Sequence, residues 1–193
     1  MCALGGLVIA RHNSIRDALF HLAVEAFGKS WVGIEPTIYP PGYKHPDANG
    51  QRGDVSVKGL WARGINCIID VVMPHAEAVS NLAKTPDAVV RTAQLKKKRE
   101  YGPVCKARRL HLTPFAVSSS GLMAPEAKAL LKKFGRVLAD KWEQPRSVTT
   151  NYVVTKVSFA VVKATHDTIF NARTRSGFGP CPTTEADPPL GPD

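Results

Sequence analysis

The spacing of apolar residues divides the chain into helices and short strands. Apolar residues recur at intervals of three and four between residues 14 and 27, which predicts a helix there, with Asn13 as its N-cap and Gly28 as its stop. The pattern then changes, because residues 31–35 (WVGIE) are typical of a short strand that Pro36 ends. A long loop rich in proline, glycine and asparagine follows.

Residues 52–74, RGDVSVKGLWARGINCIIDVVMP, predict two antiparallel strands joined by a turn at WARG. If the turn centres on Ala62, Asp54 and Asp70 lie opposite each other, because each is eight residues from that centre. Directly opposed side chains have Cβ atoms about 4.5–5.5 Å apart, and like charges there are destabilising. We therefore expect a positive group between these two aspartates.

The rest of the chain predicts three more helices and one strand. A helix capped by Thr85 is expected to run to Tyr101, where Gly102-Pro103 should end or kink it. A strand is predicted over residues 109–117. It is followed by a helix whose apolar side carries Leu130, Leu131, Phe134, Val137 and Leu138, and by a last helix over about 147–172.

In chain order these elements are helix, three strands, helix and strand, which predicts an α/β fold with a mixed sheet flanked by helices. We expect the core to span residues 13–143, a C-terminal helical extension to span 146–173, and residues 174–193 to form a disordered tail. Residues 1–12 would be a separate N-terminal segment. The composition, 44% hydrophobic and 22% charged, is typical of a globular domain.

The apolar segments and the cysteines indicate the compartment of the protein. No apolar run approaches the ~20 residues of a membrane span, and ALGGLVIA lacks the preceding basic segment of a signal peptide. The four cysteines are scattered without a CxxC pair, so they indicate neither a disulfide framework nor a zinc site. These features favour an intracellular protein without a membrane partner.

The net charge of +10 is concentrated between residues 96 and 109. The spacing of Val90, Ala93, Lys97 and Tyr101 places Lys97 on the apolar side of its helix, so we expect it to face the sheet. The other basic residues would point outward and bind the backbone of DNA or RNA, although a merely solvated helix face is the alternative. They are Lys96, Lys98, Arg99, Lys106, Arg108 and Arg109.

The two aspartates form a candidate site for a hard cation. Mg²⁺ favours one or two carboxylates together with water and phosphate oxygens, which is the chemistry of metal-assisted phosphodiester cleavage. Lys97 would either neutralise the acids or stabilise the charge of the transition state. Glu35 is a candidate third acid, with an ordinary exposed glutamate as the alternative. For Asp70, the alternative is that it caps a loop amide or pairs with an arginine.

These segments resemble a known nuclease family. The order αβββαβ resembles the PD-(D/E)xK core. More specifically, RHNSIRDALFHLA, VGIEP, RGDVSV, CIIDVVMP and LTPFAVSSSGLMAPEAKALLKKFG resemble the restriction-like endonuclease domain of site-specific non-LTR retrotransposon reverse-transcriptase polyproteins. The resemblance covers residues 2–140. It departs at three positions, where Gly53 replaces a proline, Val72 replaces a lysine, and Glu100 replaces a second lysine.

The resemblance implies a function. Asp54, Asp70 and Lys97 would form the catalytic centre, with Glu35 as a further metal-site acid and Mg²⁺ or Mn²⁺ as cofactor. Such a domain nicks target DNA and leaves a 3′ hydroxyl that the reverse transcriptase of the same polyprotein extends, which implies a nuclear location. The alternative is a catalytically dead nucleic-acid-binding module, or a degenerate fragment of such an element.

The resemblance also implies an origin for residues 1–12. CALGGLVIARH, with Cys2 and His12, resembles the trailing half of the zinc knuckle that precedes this domain in the family. Two ligands do not make a tetrahedral zinc site, so we expect no zinc to bind here.

Overall fold

The computed structural model describes residues 5–40, 52–75, 81 and 83–175. A 3₁₀ turn, Lys29–Trp31, follows the first helix. The helices and strands are, in chain order, α1 (Gly5–Phe27), β1 (Val32–Ile34), β2 (Val55–Lys58), β3 (Asn66–Val72), α2 (Pro86–Ala107), β4 (His111–Ala116), α3 (Pro125–Trp142) and α4 (Arg146–Arg175).

The strands form one four-stranded mixed sheet in the order β1-β2-β3-β4. The first two pairs are antiparallel, whereas β3 and β4 are parallel because α2 carries the chain back across the sheet. The predicted α/β class, a mixed sheet flanked by helices, is therefore confirmed.

The two faces of the sheet bury different side chains, because successive residues of a strand point to opposite sides. Val55, Val57, Ile69 and Val71 belong to the main core, which they share with α1, α3 and α4. Ile68 instead belongs to a smaller cluster under the second half of α2. Asp70 has the same parity as Ile68, so it lies on the α2 face.

The C-terminal helix is part of the core and not an appendage to it. Val153, Val157 and Val161 of α4 are buried in the main hydrophobic cluster. Thr149 Oγ1 donates to Gly135 O of α3 at 2.8 Å. The segments 13–143 and 146–173, predicted as a core and an extension, thus contribute side chains to the same hydrophobic core. The expected tail lies outside the described residues from position 176 onward.

The first helix begins earlier than predicted. It starts at Gly5, so the start predicted at residue 14 is wrong. Leu7 and Arg11 are buried, at 8% and 7% exposure, and α1 packs along α4, so we infer that burial of this segment favours its helical start. Of the expected knuckle remnant, Cys2 lies outside the described residues and His12 lies within α1.

The second helix does not end at Gly102-Pro103 but continues to Ala107 with Pro103 inside it. A proline in a helix interior costs ~3 kcal/mol or more. Tyr101 and Cys105 lie on one face, one turn apart, and both are buried in the cluster with Ile68. We infer that burial of this face outweighs the cost of the proline. No helix of the described residues is long and apolar enough to cross a membrane.

Candidate active site

A cleft of about 650 Å³ opens at the end of the sheet where β2 begins, between the first half of α1 and the middle of α2. Its lining brings together residues from five separate segments of the chain. They are Ile9, His12, Asn13, Arg16, Glu35, Arg52, Gly53, Asp54, Asp70, Lys97 and Tyr101. All four acidic and basic residues of the predicted centre therefore line one cavity.

The two aspartates lie close together where the pairing of β2 with β3 ends. Val55 pairs with Ile69, and continuing this register by one residue brings Asp54 opposite Asp70, with Ala62 at the centre of the connection. The Asp54 N–H donates to Ile69 O at 3.1 Å, one residue out of register, so regular pairing ends at Val55. Asp54 thus lies just before β2 and not within it.

Asp54 is held by two contacts of its carboxylate. Oδ1 lies 2.7 Å from Nε2 of His12, and Oδ2 accepts from the Val71 N–H at 2.5 Å. Because one partner lies on α1 and the other on β3, the carboxylate orientation is fixed from two elements. Capping of a backbone amide, weighed above as the alternative for Asp70, is found instead at Asp54.

Asp70 is the buried acid of the cleft, with 4% of its surface exposed. Burial raises its pKa to about 6, and the charge of Asp54 adds to this effect while Lys97 opposes it. Oδ2 lies 3.0 Å from Lys97 Nζ, so the two groups form an ion pair inside the cleft, and apart from this contact Oδ2 has no polar partner among the described residues.

Lys97 provides the positive group that the opposed aspartates were expected to need. Its Nζ also lies 4.9 Å from the centre of the Tyr101 ring, a cation–π contact. The Tyr101 ring is 3% exposed, and burial raises the pKa of its hydroxyl. The ammonium is therefore held between an aromatic face and a carboxylate.

Glu35 lines the same cleft but is engaged by two arginines. Its Oε1 accepts from Arg16 Nη1 at 2.8 Å and its Oε2 accepts from Arg52 Nη1 at 3.3 Å. The residue has a φ of 48°, and its N–H donates to Asp54 O at 2.9 Å. Glu35 thus borders the two aspartates, with its carboxylate neutralised by the arginines.

His12 is a residue of the cleft that the sequence analysis named only as part of the knuckle-like segment and not as a site residue. The pattern offered a signal, because His12 precedes Ile15, Leu19 and Leu22 at helical spacing, and these three are fully buried. Extending the helix towards the N-terminus would have placed His12 on the side facing the sheet. The assignment of residues 1–12 to a separate segment concealed it.

The chemistry of this donor set suits a hard divalent cation. Two carboxylates line the cleft, and Lys97 Nζ, 3.0 Å from the buried Oδ2 of Asp70, already offsets part of the charge that a bound cation would share. Within the described ranges, no group of three or more His, Cys, Asp and Glu side chains could hold a metal ion. Water and substrate oxygens would have to complete the shell, as is common for Mg²⁺.

The six outward basic residues lie along α2 and just after it. Lys96, Lys98, Arg99, Lys106, Arg108 and Arg109 are all exposed. Two of them have structural partners, because Lys98 pairs with Glu126 and Arg108 Nη1 donates to the carbonyl oxygens of residues 37, 38 and 39. Their binding of nucleic acid stays a prediction.

The chain matches no protein-family model, and no curated protein is significantly similar to it.

Proposed function

We propose that the chain is a metal-dependent DNA endonuclease domain of the PD-(D/E)xK type, which nicks DNA by hydrolysing a phosphodiester and leaves a 3′ hydroxyl. One observation supports this proposal above the others. Asp54 and Asp70, which lie just beyond the last regular pair of β2 and β3, share a cleft with Lys97, whose Nζ is 3.0 Å from Asp70 Oδ2. Two acids and a lysine at one cleft are the groups that such hydrolysis requires.

In this proposal Asp54 and Asp70 would hold Mg²⁺ or Mn²⁺, which when bound offsets charge on the scissile phosphate and the leaving oxygen. His12 and the Val71 N–H fix the Asp54 carboxylate, so His12 is a positioning residue. Lys97 is placed to stabilise the negative charge that develops on the phosphate in the transition state.

The partner in this proposal is DNA, held through its backbone by the basic face of α2. The reverse-transcriptase portion of a retrotransposon polyprotein would then extend the released 3′ hydroxyl, and the site of action would be the nucleus. These proposals depend on the resemblance of the five quoted segments to that endonuclease domain.

Nicking of supercoiled plasmid by the purified protein with Mg²⁺ or Mn²⁺ tests the function. Asp70→Ala and Lys97→Ala are each expected to reduce the nicking rate at least ~100-fold, as loss of a group that stabilises transition-state charge does. Lys84→Ala, which removes an exposed lysine just before α2, is the matched control and should nick like the wild type. An EDTA control establishes the metal requirement.

A second candidate is a nucleic-acid-binding module without nuclease activity. The observation that favours it is the state of the third acid, because Glu35 is neutralised by Arg16 and Arg52 and no larger ligand group is found in the described segments. Salt-sensitive DNA binding without nicking, equal in wild type and Asp70→Ala, would favour this module and refute the nuclease.

A further inference from the structure

A second groove, of about 550 Å³, lies between α3 and the start of α4. Three basic residues and three polar ones with hydroxyl or amide groups make up nearly all of its lining. These are Lys132, Arg136, Arg146, Ser147, Thr150 and Asn151, with Val154 as the one apolar member. No sequence motif predicts this groove, because its two walls come from different helices.

The floor of the groove is fixed by close contact between the two helices. A Cβ added at Gly135 would lie 2.5 Å from Oγ1 and 2.8 Å from Cα of Thr150, so only glycine permits this approach. Thr149 Oγ1 donates to Gly135 O at 2.8 Å and joins the backbones at the same level. Lys132 and Arg136 are therefore held at a set separation from Arg146.

The charges of the three groove cations are not paired with acidic side chains among the described residues. No salt bridge within the part of the chain that the structure describes involves Lys132, Arg136 or Arg146. Asp140 lies one helical turn beyond Arg136 but does not pair with it. Lys132 and Arg136 are also one helical turn apart, where like charges repel. An anion in the groove would relieve this repulsion.

Other lysines of the same two helices behave differently. Lys141 donates to Glu25 O, Lys156 pairs with the Glu25 carboxylate, and Lys163 pairs with Asp167. Lys128 and Lys133 of α3 line no part of the groove and also form no salt bridge among the described residues, so the groove is one part of a wider basic surface and differs from the rest by its two-walled shape.

We propose that this groove binds the sugar-phosphate backbone of a nucleic acid, as a contact surface separate from the cleft. Guanidinium and ammonium groups bind phosphate oxygens, and hydroxyl and amide side chains commonly add hydrogen bonds to the same oxygens. The groove is open and has one apolar residue, Val154, so it suits an extended charged chain better than an enclosed apolar ligand. The choice of nucleic acid as the partner rests on the proposed function.

The groove and the cleft lie towards opposite ends of α1. Lys141 Nζ and Tyr152 OH both contact Glu25, which places the end of α3 and the first turns of α4 beside the C-terminal part of α1. His12 of the cleft is nearer the other end, and the helix rise puts it ~20 Å from Glu25. Substitutions in the groove therefore leave the residues of the cleft untouched.

The test is the salt dependence of binding to a fluorescently labelled DNA duplex, measured by anisotropy in EDTA so that no metal-dependent cleavage occurs. The double variant Lys132→Gln/Arg136→Gln is compared with Lys29→Gln/Arg63→Gln, which removes two exposed positive charges away from the groove. The slope of log Kd against log salt is expected to be shallower by about 2 in the groove variant than in this control, since each lost phosphate contact contributes ~0.9.

Equal slopes in the two double variants would overturn the proposal. In that case, binding to phosphatidylserine vesicles identifies the alternative partner. Loss of vesicle binding in the groove variant alone would assign the groove to a lipid surface. Arg146→Gln, on the other wall, provides a second variant with an expected change of about 1 in slope, so the result does not depend on the folding of one variant.

The outcome is distinguishable from that of the proposed function. A wild-type protein that never nicks, but whose slope depends on Lys132 and Arg136, would refute the nuclease and leave the groove as a backbone-binding surface. A protein that nicks with an unchanged slope in the groove variants would support the nuclease and refute the groove.

Discussion

Replacement of Asp70 by asparagine is expected to remove a pH-dependent cost that the protein carries at neutral pH. Asp70 is buried, its pKa is raised from 3.8 to about 6, and the first cause is loss of hydration. Between these two pH values the folded protein binds more protons than the unfolded chain does. Its free energy of unfolding therefore falls as pH rises through this window.

The magnitude follows from the size of the shift. A displacement from 3.8 to about 6 corresponds to about 3 kcal/mol at 1.36 kcal/mol per pKa unit, with the full cost reached above pH ~6. Of this loss in the free energy of unfolding, about 2 kcal/mol occurs between pH 4 and pH 7. Asparagine cannot ionise, so Asp70→Asn lacks this dependence, although it also leaves Lys97 without its ion-pair partner at every pH.

Urea unfolding at several pH values between 4 and 7, in the absence of divalent cations, measures this effect. The stability of Asp70→Asn minus that of the wild type should increase with pH by about 2 kcal/mol over this range. Asp140→Asn, at an exposed position of α3, corrects for the general effect of removing one negative charge. A difference that stays constant across the range would show that burial does not raise the pKa of Asp70.

Three further substitutions test the packing that supports the two surfaces. Gly53→Ala should destabilise the protein by ~1–3 kcal/mol, because the new Cβ would lie 2.3 Å from a buried isoleucine methyl. Since this position borders the cleft, any nicking should also fall. Urea unfolding and plasmid nicking measure the two effects, and wild-type values in both would refute the prediction. Gly135→Ala should cost a similar ~1–3 kcal/mol through its contact with the backbone of Thr150. Gly6→Ala, where nothing lies within 4 Å, is its control, and equal urea midpoints would contradict the close approach. Phe134→Ala should cost ~3–5 kcal/mol, because the ring is fully buried; a loss below ~1 kcal/mol by urea unfolding would mean that the core is poorly packed there.

Much of the site could be predicted from local pattern. The strand signals on both sides of Ala62 predict the observed pairing of Val55 with Ile69, and Asp54 and Asp70 are the next residues beyond that pair, although regular pairing stops there. The helical period then places Lys97 on the side of α2 that faces them. These predictions succeeded because strand and helix periods determine the direction of a side chain from its position in the sequence.

The predictions that failed, and the residues that were overlooked, depend on contacts between distant segments. The early start of α1 requires its packing along α4, and the passage of α2 through Pro103 requires burial of Tyr101 and Cys105. His12 reaches Asp54 across 42 positions of the chain. A local pattern carries no information about such partners.

The sequence by itself determined the order of elements, the α/β class, the strand register and the direction of Lys97, because each depends on the period of one segment or on one short connection. Only the tertiary structure decided which helices cover each face of the sheet, that α4 completes the core, and that α3 and α4 enclose a basic groove. Those features arise where apolar faces far apart in sequence are buried together, and the free energy of that burial depends on the whole fold.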